Sequence, residues 1–237
     1  MLHPKREGTL TLILGGVRSG KSQFAHSLAL ELGDDDVLFV ATAEVGDQEM
    51  SRRIELHRRS RPATWQTLEQ TRGIGKTLAA MPSLPAVVLV DCLTLLTSNV
   101  MLSDDPVHDP LNDPLHNAMN NAMNKGNRDP RDTDIAATDA SIESRLDTEV
   151  DDLIQFAERH CVHLIVVSGE VGMGIVPEHS LGRQFRDLLG RANQTLAAHA
   201  TATYLMVAGL PIEVSAIATT VQQASSHLQA TRTKEIR

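Results

Sequence analysis

The chain has 237 residues, with 22 Lys and Arg against 30 Asp and Glu for a formal net charge of −8, and it is 41% hydrophobic but only 3% aromatic. That supplies the core of one generous α/β domain or two small ones, while the acidity and the scarcity of stacking rings argue against nucleic acid as a partner. Cys92 and Cys161 lack the spacing of a zinc site or disulfide framework. The N-terminus MLHPKREGT lacks a signal-peptide core, and no apolar run approaches the roughly 18 residues that span a bilayer. The expectation is a cytoplasmic protein with a small-molecule partner and no membrane span.

In chain order, residues 1–8 read as a flexible N-terminus and TLTLILG (9–15) as the first strand. The loop GGVRSGKS follows, and then a helix over SQFAHSLALEL. Further strands are expected at DVLFVAT (36–42), AVVLVD (86–91), HLIVVSG (163–169) and TYLMVAG (203–209). These runs are apolar throughout instead of alternating, as strands buried on both faces of a parallel sheet are. A helix after Pro177 places Leu181, Phe185, Leu188, Leu189, Ala192 and Leu196 on one face. The resulting fold class is α/β, with a mostly parallel central sheet and helices on both faces.

Two segments have a different texture. Residues 102–145 are rich in Asp, Asn and Pro and read as an acidic, flexible insertion in a domain spanning 9–214. From 104 to 152 there are thirteen acidic and four basic residues, so the rest of the chain is nearly neutral and the net charge does not disfavour an anionic substrate elsewhere. Residues 215–237 read as a polar C-terminal tail.

Gly15, Gly20, Lys21 and Ser22 satisfy the spacing G-x-x-x-x-G-K-[ST] of a P-loop, between a strand and a helix as the motif requires. In such a loop the backbone N–H groups of Gly15, Gly16, Val17, Arg18, Ser19, Gly20, Lys21 and Ser22 converge on phosphate oxygens at a helix N-terminus. Lys21 neutralises the β- and γ-phosphates and the Ser22 hydroxyl ligates Mg2+. Asp91, closing the third apolar run, stands where a second metal-holding oxygen is needed.

The stretch RRIELHRRSR (52–61) sets one histidine among five arginines. Charge runs are usually solvated helix faces. Here a helix would put Arg53, His57 and Arg61 on one side, where the cations repel unless an anion lies between them. The arginines favour a neutral imidazole, which suits His57 either as a general acid/base or as a nucleophile on phosphorus. The spacing does not choose between these roles.

Together, GGVRSGKS, FVATAEV, EMSRRIELHRRSRPATWQTLE, VDCLTLLTSN, GEVGMGIVPEHSLGRQFRDLLGRANQTLAAHA and LMVAGLPIEV resemble the successive motifs of the bifunctional adenosylcobinamide kinase / adenosylcobinamide-phosphate guanylyltransferase family, over about 9–101 and 146–214. The resemblance implies a RecA-like P-loop NTPase fold and a homotrimer. It implies phosphorylation of the aminopropanol hydroxyl of adenosylcobinamide by GTP or ATP, then transfer of GMP from GTP through a covalent histidine intermediate onto adenosylcobinamide phosphate. It makes His57 the nucleophile. It also sets Ala41, Thr42 and Ala43 along the nucleotide, and Arg58, Arg59, Ser60, Arg61 and Glu69 at its guanylyl end, with Asp91 as the acidic position. The family usually has Asn where this chain has Gly169. The competing readings are a P-loop kinase of another alcohol and a RecA-like ATPase driving a macromolecule.

Overall fold

The structure is a computed structural model and describes residues 8–43, 61–103 and 132–226. Seven strands form one sheet: β1 (Thr9–Gly15), β2 (Val37–Ala41), β3 (Gln66–Glu69), β4 (Val87–Asp91), β5 (His163–Val167), β6 (Ala202–Val207) and β7 (Leu210–Glu213), in spatial order β3-β2-β4-β5-β1-β6-β7. All neighbours are parallel except β6 and β7. The first four residues of β2 and of β4 and the last four of β5 are all buried, so the apolar runs mark strands with cover on both sides.

That cover comes from α1 (Lys21–Gly33), α2 (Ile74–Ala79), α3 (Leu93–Leu102), α4 (Asp132–Arg159), α5 (Ser180–His199) and a short α6 (Val214–Ile217). Because strand side chains alternate between faces, Leu12, Leu38, Val40, Val88, Val90, Leu164 and Val166 pack with α2, α3, α4 and α5. On the opposite face Ile13, Val37, Phe39, Leu89, Ile165 and Val167 pack with Ala25 and Ala29 of α1. In α5, Leu188, Leu189, Ala192 and Leu196 are buried, with Leu181 and Phe185 packed beside them. This is the stripe its spacing requires.

Most of the expected 102–145 insertion lies outside the described residues. Its last part, from Asp132, is the first half of the 28-residue helix α4, in which Ile142, Leu146, Val150 and Leu153 are buried at three- and four-residue spacings. Between them Asp147 and Asp151 are exposed, while Glu149 Oε1 accepts from the Gly73 N–H at 2.6 Å and ties the helix to the start of α2. Residues 104–131 lie outside the described residues, as do 1–7 and 227–237. The start of the polar tail forms α6, whose residues are not buried.

Candidate nucleotide site at the carboxyl edge of the sheet

The P-loop leaves β1 at Gly15 and closes on the N-terminus of α1. A Cβ on Gly15 would lie 2.6 Å from Ser19 Oγ and 2.7 Å from the Met206 carbonyl oxygen, so only glycine lets the chain turn here. Gly20, at φ 96°, caps α1, and no acidic residue stands in the helix's first turn. The free N–H groups and positive end of α1 are therefore left for an anion. Lys21 Nζ donates to the carbonyls of Gly15 at 2.7 Å and Gly16 at 2.6 Å, folding over the loop. Burial pushes the Lys21 pKa down, while Cys92 and Asp91 nearby act in the opposite direction. The Ser19 hydroxyl is buried with no hydrogen-bond partner among the described residues.

The loop is braced from two sides. The Glu170 N–H donates to Gly15 O at 3.0 Å, and the Gly209 N–H donates to Ser19 O at 2.9 Å. Gly209 and Ala208, both at positive φ (82° and 50°), form the two-residue turn between β6 and β7, the type I′ geometry that suits strand twist. A Cβ on Gly20 would come within 3.0 Å of Gly209 Cα, so loop and hairpin meet backbone to backbone.

Register carries Ala41, Glu69 and Asp91 to the same edge. Glu69 pairs with Ala41, Ala41 with Asp91, and Asp91 with Val167, giving one row across β3, β2, β4 and β5. Strands about 4.8 Å apart put the Glu69 and Asp91 backbones roughly 10 Å from each other. Asp91 comes close to the P-loop by the same register, since it pairs with Val167, and Val167 pairs with Ile13, two residues before Gly15. Thr42 behaves differently from a residue lying along a nucleotide with its side chain. It is completely buried, its hydroxyl donates to Cys92 O at 2.9 Å and accepts from Cys92 N–H at 2.7 Å, and its N–H donates to Asp91 O at 3.3 Å. Asn99 Nδ2 donates to Thr42 O at 2.8 Å. The Asp91–Cys92 peptide, which this cluster holds, is cis.

Arg61 lies in a bend, and its guanidinium sits over the Phe39 ring, 3.3 Å from the centroid. The continuous helical face expected to carry it toward phosphates does not extend to this position. Beyond it, Pro62 and Trp65 face Ser22, His26 and Leu30 of α1 across a cavity. His57, Arg53, Arg58, Arg59 and Ser60 fall outside the described residues.

Motif spacing did not single out the bracing around β5. The Ser168 hydroxyl donates to Asn193 Oδ1 at 2.6 Å, Asn193 Nδ2 donates to Gly169 O at 3.0 Å, and the Gly169 N–H donates to Thr94 Oγ1 at 2.7 Å. A Cβ at Gly169 would approach Thr94 Oγ1 to 3.0 Å, so α3 presses on this position. The one available signal was a polar Asn inside the otherwise apolar stripe of α5.

The family model for cobinamide kinase / cobinamide phosphate guanyltransferase matches residues 11–214. The chain belongs to this family. It is 35% identical over 206 residues to the bifunctional adenosylcobalamin biosynthesis protein CobU of Escherichia coli, covering 86% of this chain and 99% of that one. It is 36% identical over 201 residues to CobP, the protein of the same description from Pseudomonas aeruginosa, covering 85% and 94%. Among solved structures the RadB recombinase is similar, with a TM-score of 0.37 and 16% identity over 84% of this chain and 74% of that chain. Family members are transferases of the cobinamide kinase and guanylyltransferase type, and the mostly parallel α/β sheet covered by helices that the sequence led us to expect is the one described above.

Proposed function

We propose that this protein phosphorylates the aminopropanol hydroxyl of adenosylcobinamide and then converts the product to adenosylcobinamide-GDP. The observation that carries the reading is Lys21 folded over the P-loop beside Asp91, in a chain that matches the family along residues 11–214. In the first reaction the substrate hydroxyl oxygen bonds to the γ-phosphorus of GTP or ATP and gives up its proton to solvent, the bridging P–O bond breaks, and the nucleoside diphosphate leaves. Lys21 exchanges its two carbonyl partners for the β- and γ-phosphate oxygens, and the N-terminus of α1 stabilises the charge that develops there.

Ser22 and Asp91 offer a hydroxyl and a carboxylate, hard oxygen donors of the kind Mg2+ takes. Among the described residues no group of three or more His, Cys, Asp or Glu lies together, so the ion would rely on these two residues and on the nucleotide's own phosphates. Bound there, Mg2+ neutralises phosphate charge.

In the second reaction His57 attacks the α-phosphorus of GTP, forming a P–N bond and releasing pyrophosphate. A phosphate oxygen of adenosylcobinamide phosphate then attacks that phosphorus and frees the imidazole. Arg58, Arg59, Ser60, Arg61 and Glu69 hold the guanylyl end, with Ala41 and Ala43 beside the nucleotide. Thr42 serves by fixing the peptide after Asp91. The protein works in the cytoplasm as a homotrimer, which sedimentation would test. The decisive experiment is incubation with α-32P GTP: acid-labile, alkali-stable label on the wild type and none on His57→Ala supports the covalent step, and an unlabelled wild type sinks it.

A further inference from the structure

The carboxyl edge of the sheet carries a concentrated apolar surface that the nucleotide does not account for. In the 171–177 loop after β5, Met173 is 80%, Ile175 96% and Val176 62% exposed, and Val17 in the P-loop is 94% exposed. Isolated exposed apolar residues are ordinary, but three in one short loop form a patch that calls for an occupant.

This loop is well anchored. Glu170 ties its start to Gly15 of the P-loop, and Glu170 Oε1 accepts from the Gly172 N–H at 2.6 Å. Arg186 Nη2 donates to Gly172 O at 3.1 Å, and Arg183 Nη1 donates to the carbonyls of Pro177 at 3.1 Å and Glu178 at 2.5 Å. Two arginines of α5 thus hold the backbone from beneath while the apolar side chains point to solvent. Glu178, His179 and Ser180 border the loop as an exposed polar rim.

We propose that the 171–177 loop is the docking platform for the corrinoid. The inference rests on the cobinamide kinase reading, which supplies a substrate of suitable chemistry. A corrin macrocycle presents broad hydrocarbon faces and carries neutral amides around its edge, so it needs an apolar seat with a polar border. Its acceptor hydroxyl must also reach the γ-phosphate held at the P-loop. This loop meets both needs, since it is apolar, bordered by polar residues and tethered to Gly15 through Glu170 at its start. Met173, Ile175 and Val176 are the contact residues, and Arg183 and Arg186 are positioning residues that keep the loop presented.

The test uses the full chain, with adenosylcobinamide as probe, in two measurements: equilibrium dialysis and steady-state phosphorylation. Loss of one apolar contact in Ile175→Ser or Met173→Ser should weaken cobinamide binding and raise its KM about 10-fold, and the double variant about 100-fold. Ile175→Leu should restore most of the affinity, and the KM for the nucleotide should change by less than roughly twofold. Normal cobinamide binding by both serine variants would overturn the platform, and more so if their sedimentation changed, since the patch would then be a contact between copies. A wild type that binds cobinamide in an Ile175-dependent way without phosphorylating it would uphold the platform while sinking the kinase reading. A wild type that does neither would overturn both.

Discussion

The Thr42 hydroxyl and the Cys92 peptide exchange two hydrogen bonds, 2.9 Å and 2.7 Å long, across the ends of β2 and β4. Asp91 sits immediately before that peptide, so Thr42 fixes the direction of the candidate metal-holding carboxylate without touching a ligand. Thr42→Val keeps the shape but leaves the Cys92 N–H buried and unpaired, which should cost about 1–3 kcal/mol in urea unfolding. Kinase activity should fall with it. Thr42→Ser, which retains the hydroxyl, should stay close to wild type in both measurements.

Among the described residues, Lys21 is the one lysine or arginine whose amino or guanidino group is seen hydrogen-bonded to the P-loop carbonyls. Lys21→Met should lower kcat for phosphoryl transfer by about 10²-fold or more, the scale seen when a preorganised charge-stabilising group is removed. Circular dichroism should show an intact fold. Near-normal turnover would show that the loop does not hold the reacting phosphates.

The two glycines at the meeting of loop and hairpin should not be equally sensitive. A Cβ on Gly209 finds no atom within 4 Å, so Gly209→Ala bears mainly the left-handed backbone cost of about 1–2 kcal/mol. Gly20→Ala bears a similar cost and also presses on the Gly209 backbone. Titration with a fluorescent nucleotide should therefore show the larger affinity loss for Gly20→Ala. Equal losses would count against contact between hairpin and loop as the cause.

The two cysteines should separate cleanly by reactivity. Burial and the neighbouring Asp91 push Cys92 from 9.0 up to about 11, whereas Cys161 is exposed. Iodoacetamide at pH 8 should modify Cys161 first and Cys92 only on unfolding, as peptide mass spectrometry would read. The raised pKa has a signed consequence for stability. Its contribution is fully present below about pH 9 and is lost as pH rises toward 11, because the unfolded chain gives up the thiol proton first. Cys92→Ala should flatten that alkaline decline, and an unchanged slope would assign the loss to other groups.

Much of the fold was legible because burial on both faces forces continuous apolar runs. The runs at 9–15, 36–42, 86–91, 163–169 and 203–209 correspond to β1, β2, β4, β5 and β6 within two residues at each end. The strands without such a signal are the outermost ones. Gln66–Glu69 has no buried residue and Leu210–Glu213 is exposed throughout, so neither needs an apolar sequence, and Pro211 hides the second further. The first half of α4 was obscured by its composition, since an acidic helix and an acidic linker have the same residue content. At the site, the P-loop could be read from spacing because its chemistry fixes residue types. The work of Thr42, Asn193 and Gly209 depends on which segments become neighbours, and local pattern does not contain that information.

The place of β1 in the sheet sets an order of events during synthesis. Its neighbours are β5 and β6, and its loop is secured by Glu170 and Gly209, so β1 is made long before its partners are. At about 5–20 residues per second, the nascent chain spends on the order of ten to forty seconds with its phosphate loop emerged but unsupported. Nucleotide can therefore act as a ligand of the finished chain and not as a scaffold for early folding. Ribosome-stalled chains ending before β6 should fail to retain GTP even though every residue of GGVRSGKS is already present.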